Sequence, residues 1–202
     1  MKRGQAERLM PMLDEVLSAE GAVFEELDAI GVGVGPGNFT GIRISVSAAR
    51  GLALALGVPA VGVSAFDVLR GAAPDWVGPE LVSIPSQRRD SDVVLQRFEA
   101  GRPVGAPFEL KIFGTHELDV EAFPAEGRIL GAECAALNWI FCERFGHHAT
   151  YDDPNIEPVA LAIARAAAKR LLADREVEAP APVYIRPADA APASDPPPVI
   201  LP

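Results

Sequence analysis

The sequence is poor in aromatic residues, lysines and cysteines. Only 6% of its 202 residues are aromatic, so Ala, Val, Leu and Ile have to fill the core. Its lysines are confined to positions Lys2, Lys111 and Lys169, and the formal net charge is -10. A chain this acidic repels the phosphate backbone of nucleic acids, whose binding needs clustered cations. The composition therefore argues against unaided nucleic-acid binding.

Cysteines and long apolar runs are also scarce. Cys134 and Cys142 are too few for a disulfide framework or a complete tetrahedral metal site. We therefore predict that both are buried, reduced thiols in a reducing compartment. The N-terminus carries charges throughout, unlike a signal peptide, and no segment approaches the ~20 apolar residues of a membrane span. These absences predict a cytoplasmic protein with no membrane contact.

Familiar catalytic arrangements are missing as well. His147 and His148 are adjacent and His116 stands apart, so neither HxxH nor HExxH spacing occurs. Ser64 and Ser86 lack the G-x-S-x-G surroundings of a nucleophile elbow. We expect no catalytic residue and no metal ligand in this chain, which favours a binding or scaffold role.

What the chain does contain is many short elements, punctuated by 18 glycines and 19 prolines. Periodicity predicts helices at 5–19, 40–56, 65–73, 132–145 and 157–173, and strands at 29–35, 60–63, 80–84, 92–99, 109–113, 128–130 and 182–186. This mixed order predicts an α/β fold in two small lobes. We place an N-terminal lobe at 1–78, a C-terminal lobe including the last helix and strand at 79–186, and a flexible Pro-rich tail at 187–202.

The first two predicted helices carry more apolar surface than one sheet can cover. The helix at 5–19 has apolar residues along one side. The helix at 40–56 is apolar nearly all round, because only Arg43, Ser47 and Arg50 form a polar stripe. One cover is its own sheet. The second cover is either another part of the same domain or another protein chain.

The segment between these helices, GPGNFTGIR, is the most informative in the chain. Its glycines end a strand in a tight turn, and Asn38 or Thr40 can cap the helix that follows. A helix N-terminus after a glycine turn can hold an anion, but neither the Rossmann nor the P-loop fingerprint fits. A structural turn is the favoured reading, and contact with a phosphate or nucleotide is the alternative. The residues concerned are Gly35, Pro36, Gly37, Asn38, Phe39, Thr40, Gly41 and Arg43.

The run GPGNFTGIRISVSAARGLALALGVPAVGVSAFDVL closely resembles the hallmark segment of the TsaB family, bacterial subunits of the machinery that makes threonylcarbamoyladenosine on tRNA. QAERLMPMLDEVL at 5–17, RILGAECAAL at 128–137 and PVYIRPADAA at 182–191 resemble further family segments, so the similarity spans nearly the whole chain. The resemblance implies a degenerate, two-lobed member of the actin, Hsp70 and sugar-kinase superfamily, with a ribonuclease H-like fold.

The same resemblance implies a non-catalytic subunit that pairs with the homologous subunit TsaD, while a TsaE-like ATPase joins the assembly. ATP or ADP and metal are then expected on the partner subunits, with no cofactor bound by this chain alone, and tRNA is reached only through the complex. Self-association as a homodimer is expected when the partner is missing. In the family the first two helices make the pairing surface, which here corresponds to Leu9, Leu13, Val16, Leu17, Ile44, Ala48 and Leu52.

The start of the sequence departs from the family pattern. Family members begin with two or three strands that carry an Asp-Thr-Ser-type segment, whereas this sequence begins at the first helix. We therefore expect an N-terminally truncated fold, with Met1 an internal methionine of a longer protein. Two alternative functions remain open: a metal-independent or cryptic peptidase, an activity associated with the wider superfamily, and a small-molecule kinase or ATPase of the same fold.

Overall fold

A computed structural model describes residues 5–73, 75–87, 92–112, 126–173 and 177–185. Within these ranges the chain forms a two-stranded parallel sheet and a five-stranded mixed sheet, with helices packed on both. This is the α/β architecture that the sequence predicts. Met1, His116 and the Pro-rich tail at 187–202 lie outside the described residues.

The first sheet is a parallel pair joined by a helical crossover, the connection that parallel strands require. Ile30 lies opposite Ala60 and Val32 opposite Gly62. Its elements are α1 (Gln5–Ala19), a short 3-10 turn (Phe24–Glu26), β1 (Ile30–Gly35), α2 (Phe39–Leu56), β2 (Ala60–Ser64) and α3 (Ala65–Ala72). The predicted order and type of these elements are confirmed, with bounds that differ by one or two residues.

The two faces of β1 carry different side chains, because successive residues of a strand point to opposite faces. Val32 and Val34 pack on α2. Gly31 and Gly33 face a later helix, α5 (Val159–Ala173), and a methyl group added at Gly31 would lie 3.0 Å from the Ala167 Cβ. The glycines therefore let α5 approach closely. The sequence analysis placed this helix with the C-terminal lobe, whereas it packs on β1, β2 and α3.

The second sheet has the strand order β5-β4-β3-β6-β7, with β4 antiparallel to both of its neighbours and β6 parallel to both of its own. One face packs on α4 and the other on α3. Its strands are β3 (Glu80–Pro85), β4 (Val93–Glu99), β5 (Arg102–Leu110), β6 (Arg128–Gly131) and β7 (Thr150–Asp152), and α4 spans Cys134–Phe145. Helix α3 therefore serves both sheets, since Val68 packs with β2 while Phe66 packs with β3.

Three sequence predictions in this half are corrected. The strand placed at 109–113 runs instead from Arg102 to Leu110, because β4 turns sharply at Ala100 and Gly101, both of which have positive φ. Its prolines hid it from the pattern, and they are tolerated because β5 is an edge strand. Strand β7 was not predicted. The closing strand at 182–186 is absent from the described residues, where the Val183 N–H donates a hydrogen bond to the Val34 carbonyl at 2.8 Å.

A buried ion cluster joins α3 to the second sheet. Glu80, on β3, is only 1% exposed. One of its carboxylate oxygens accepts from Arg70 Nε of α3 at 2.5 Å, and the other accepts from Arg128 Nε of β6 at 2.9 Å and from Arg128 Nη2. A carboxylate taken this far out of water is stable only with such partners.

Candidate functional site

Helix α1 has an apolar side that the fold uses little. Leu9, Leu13 and Leu17 are half-buried, and Val16 is 57% exposed. None of the core clusters found in the described part of the chain includes a residue of α1. The helix is amphipathic, and its apolar side is only partly covered by the described chain.

Helix α2 has two apolar sides with different surroundings. Ile42, Val46 and Ala49 pack on β1 and are buried in the core. Ile44, Ala48 and Leu52 lie on another side of the helix, turned away from the centre of the β1 contact, and are half-buried. They belong to no core cluster of the described residues. In the described part of the chain this second side of the helix is therefore only partly covered.

We call these two helix sides together the α1/α2 face. Its members are the seven residues assigned to the pairing surface by the family resemblance: Leu9, Leu13, Val16, Leu17, Ile44, Ala48 and Leu52. The structure places all seven outside the buried core. Leu54, on the polar side of α2, is 85% exposed and lies apart from this face.

Helix α2 also has the length and apolar composition of a membrane span, which the sequence analysis did not count. It is the one described helix that meets this test, and 22% of it is buried. One such helix is weak support for a membrane segment. Its packing on β1 through Ile42 and Val46 accounts for part of that apolar composition within the fold.

The glycine turn is explained by packing at its first residue. Gly35 has φ +94°, and a side chain there would start 2.6 Å from the Ile42 Cδ1 atom. Only glycine fits a position with both constraints. Gly37 is less confined, since its nearest neighbours would lie 3.6 Å away or more. The first glycine therefore allows α2 to begin directly above the end of β1.

The helix that follows is capped by Asn38. Its Oδ1 atom accepts a hydrogen bond from the Gly41 N–H at 2.8 Å. This arrangement decides between the two residues that the sequence offered, since Thr40 lies inside the helix. One of the free N–H groups at this helix end is thereby satisfied within the chain.

Three side chains meet beside the turn. The Arg43 guanidinium carbon lies 3.9 Å from the centre of the Phe39 ring, and Arg43 Nε donates a hydrogen bond to the Tyr184 hydroxyl at 2.8 Å. The Phe39 and Tyr184 ring centres are 5.2 Å apart. The Arg43 charge is thus engaged by the segment 177–185, which ties the start of α2 to the end of the described chain.

Tyr184 was not among the predicted site residues, because residues 182–186 were predicted to form a regular strand. The chain has only two tyrosines. A tyrosine combines an apolar ring with a polar hydroxyl, and this residue type is the signal that could have singled it out.

A cavity of about 370 Å³ lies next to the same segment. It is lined by Val34, Gly62, Arg170 and residues 177–181. Arg170 donates to the Gly62 carbonyl at 2.5 Å and pairs with Asp67 at 3.1 Å. The Arg170 guanidinium, which lines this cavity, is therefore already bound by other groups of the protein.

The remaining titratable residues form no metal cluster in the described ranges, where no three His, Cys, Asp or Glu side chains lie close enough to hold an ion. His147 packs near the Phe145 ring, and His148 lies beside Cys142. Among the described residues the candidate features are therefore the α1/α2 face and the capped glycine turn, and no metal site is found.

Comparisons with known proteins find relatives named after tRNA threonylcarbamoyladenosine biosynthesis. The family model described as "TsaD: tRNA N6-adenosine threonylcarbamoyltransferase" matches residues 1–99. The tRNA threonylcarbamoyladenosine biosynthesis protein TsaB of Escherichia coli is 40% identical over 62 residues, which are 31% of this chain and 27% of that protein. An uncharacterized protein of Mycobacterium leprae is 31% identical over 182 residues, which are 86% of this chain and 48% of the relative.

Solved structures extend the likeness to nearly the whole chain. A Pseudomonas aeruginosa protein, described as uncharacterized and similar to peptidase YEAZ, superposes with a TM-score of 0.59 at 26% identity, covering 92% of this chain and 86% of that one. YeaZ from the same organism gives a TM-score of 0.56 at 26% identity, covering 89% and 84%. By sequence, however, the chain spans less than half the length of the curated relatives named above.

Proposed function

This chain belongs to the TsaB family, and from that premise we propose that it is a non-catalytic partner subunit in the biosynthesis of threonylcarbamoyladenosine on tRNA. The α1/α2 face is the observation that carries the proposal. A subunit whose task is to bind another protein needs an apolar surface that its own fold leaves open. Obligate interfaces have this character, because they resemble a core cut in half.

Burial of the remaining exposed apolar area on α1 and α2 would favour binding of a partner. Each square ångström of apolar area removed from water contributes roughly 25 cal/mol. None of the described side chains of α1 is fully buried, and the outer side of α2 stays half-buried. A second chain that covers both helices would remove this surface from water.

We propose a TsaD homologue as that partner. The family model that matches residues 1–99 is itself described as TsaD, so the two kinds of protein are related over the half that carries α1 and α2. Related chains can present equivalent helices to each other in an approximately two-fold arrangement. Such a heterodimer would cover the α1/α2 face, and a homodimer would do so less specifically when TsaD is missing.

The chemistry is assigned to the other subunits. In this proposal the TsaD homologue and a TsaE-like ATPase hold the nucleotide and metal, and tRNA is bound through the complex. The net charge of -10 supports this division, because the chain on its own repels RNA. The same account places the protein in the cytoplasm, where tRNA is modified.

A pull-down with the TsaD homologue from the same genome tests the pairing. Leu13→Asp and Ala48→Arg each put a charge into the α1/α2 face, so both variants should lose binding while keeping the wild-type circular dichroism spectrum. Leu54→Asp is the matched control, because it puts a charge on the exposed side of the same helix. Wild-type binding by both Leu13→Asp and Ala48→Arg would contradict the assignment of the interface to the α1/α2 face.

The role in tRNA modification has its own test. A bacterial strain that lacks its TsaB gene is supplied with this chain or with the Ala48→Arg variant, and threonylcarbamoyladenosine in bulk tRNA is measured by mass spectrometry. The wild-type chain should restore the nucleoside and the variant should not. Equal restoration by both would show that pairing through α2 is not how the chain contributes.

A further inference from the structure

The two cysteines of the chain lie in contrasting environments on the same helix. Cys134 begins α4 and is buried, and burial together with the Asp153 carboxylate raises the pKa of its thiol. Cys142 lies near the other end of α4 and is only half-buried. Its Sγ atom is 3.0 Å from the Nδ1 atom of His148. The sequence analysis predicted two buried thiols, and the structure corrects this for Cys142.

The position of His148 is set by the backbone on both sides of it. Helix α4 ends at Gly146, which has φ +66° and whose N–H donates to the Cys142 carbonyl at 3.0 Å. The His147 N–H donates to the Phe141 carbonyl at 3.3 Å, and the Ala149 N–H donates to Asn138 Oδ1 at 3.2 Å. These three bonds fold residues 146–149 back along the helix, so the imidazole of His148 comes to lie against the thiol.

We propose that Cys142 and His148 form a thiol modification site that reacts with low-molecular-weight disulfides, such as glutathione disulfide. A thiol reacts as its thiolate, and an imidazole within hydrogen-bond reach can take the proton. The proposed proton transfer uses the His148 tautomer whose proton is on Nε2, since this form presents the Nδ1 lone pair to the sulfur.

The exchange balances without any further reagent. The Cys142 S–H proton moves to His148 Nδ1, and the thiolate attacks one sulfur of the disulfide. A new S–S bond forms to Cys142 as the original S–S bond breaks, and the leaving thiolate takes the proton from the imidazolium. Cys142 is oxidised to a mixed disulfide, and one half of the small disulfide is reduced to a thiol.

Cys134 provides an internal comparison for this chemistry. Its thiol is buried and held protonated by its surroundings, so it is neither reached by the reagent nor activated. The site also lies on α4, outside the α1/α2 face, so it stands or falls independently of the proposed pairing.

The test uses the full chain and glutathione disulfide at neutral pH, with adducts followed by intact-protein mass spectrometry and located by peptide mapping. One adduct should form, on Cys142. A free thiol is only a few per cent thiolate at pH 7, so a base that ionises it can raise the rate by at most roughly thirtyfold. We therefore expect His148→Gln to lower the rate constant about tenfold.

The matched control is His147→Gln, which changes the neighbouring histidine and should leave the rate unchanged. Cys134→Ser should also react at the wild-type rate, and Cys142→Ser should not react. Thermal unfolding of each variant confirms that the fold is kept. Modification at Cys134, an equal rate for His148→Gln and the wild type, or no adduct on the native chain would each overturn the proposal.

Discussion

The second sheet and the first two helices use their apolar residues in opposite ways. In the sheet, Leu81, Leu95 and Ile129 are completely buried beneath α4, and the other face is covered by α3. In α1 no described side chain is fully buried, and α2 buries one of its two apolar sides. The same kinds of residue thus form a closed core in one region and a partly covered surface in the other.

This difference separates stability from interaction. In a closed core, replacing a large side chain by a smaller one lowers the free energy of unfolding, because the cavity left behind is not refilled. An open apolar face contributes little to the stability of the isolated chain, and its residues matter when a second surface covers them. Substitutions in the two regions should therefore have different consequences for unfolding and for pairing.

The largest expected effect comes from the ion cluster at the edge of the closed core. Glu80→Ala leaves Arg70 and Arg128 without the carboxylate that they share in the buried interior. Breaking a buried ion pair in this way costs about 3 to 5 kcal/mol of unfolding free energy, measured by urea denaturation. The matched change in the open region is Glu15→Ala, which removes the exposed ion pair of Glu15 with Arg8 on α1. It should cost less than about 1 kcal/mol. Equal losses for the two variants would break the comparison.

A second prediction sharpens the comparison within α2 itself. Ile42→Ala removes a side chain packed on β1 and against Gly35, and should lower the unfolding free energy by about 2 kcal/mol or more. Ile44→Ala makes the same chemical change on the outer side and should cost about 1 kcal/mol or less, yet weaken binding of the TsaD homologue. Denaturation curves and binding titrations of the two variants measure these effects on stability and on binding. A larger loss of stability for Ile44→Ala would reverse the assignment of the two sides.

The smallest expected effect concerns the start of α2. Asn38→Ala removes the hydrogen bond to the Gly41 N–H and should lower the unfolding free energy by about 1 kcal/mol. Thr40→Ala is the control, since the cap is made by Asn38, and it should leave the stability nearly unchanged. The reverse ranking in thermal unfolding would mean that Thr40 caps the helix in solution.

Much of the first sheet and its helices could be predicted from local signals. Ser64 caps α3, since its Oγ accepts from the Asp67 N–H at 3.1 Å while the Asp67 carboxylate accepts from the Ser64 N–H. Gly57 ends α2 in the left-handed conformation, as its place before Pro59 indicates. These signals can be recognised in the sequence because each involves residues that are only a few positions apart.

The parts that could not be predicted depend on distant contacts. Strand β7 has three exposed residues and exists because it pairs with β6. Helix α5 lies on the first sheet because Gly31 and Gly33 leave room for it, more than a hundred residues earlier in the chain. Likewise, the contact of Tyr184 with Arg43 joins residues 141 apart in sequence. No local pattern encodes such pairings.

Composition alone predicted that helix α2 has a second apolar side. The seven residues of the α1/α2 face were named only through the family resemblance. The excess of apolar residues around α2 is visible in the sequence, because just three polar side chains form its stripe. Which apolar side faces β1 follows from packing of Ile42, Val46 and Ala49 in the structure. The sequence left both sides equivalent.

Hydrogen exchange of the chain alone and in the presence of the proposed partner, a TsaD homologue, tests whether binding covers the α1/α2 face. Amides that a partner covers or stabilises exchange more slowly, and the rest of the chain reports whether the change is local. The account predicts slower exchange throughout α1 and along α2 on binding, with β3, β4 and β6 unchanged. Protection confined to the second sheet or α4, with α1 and α2 exchanging as in the free chain, would contradict it.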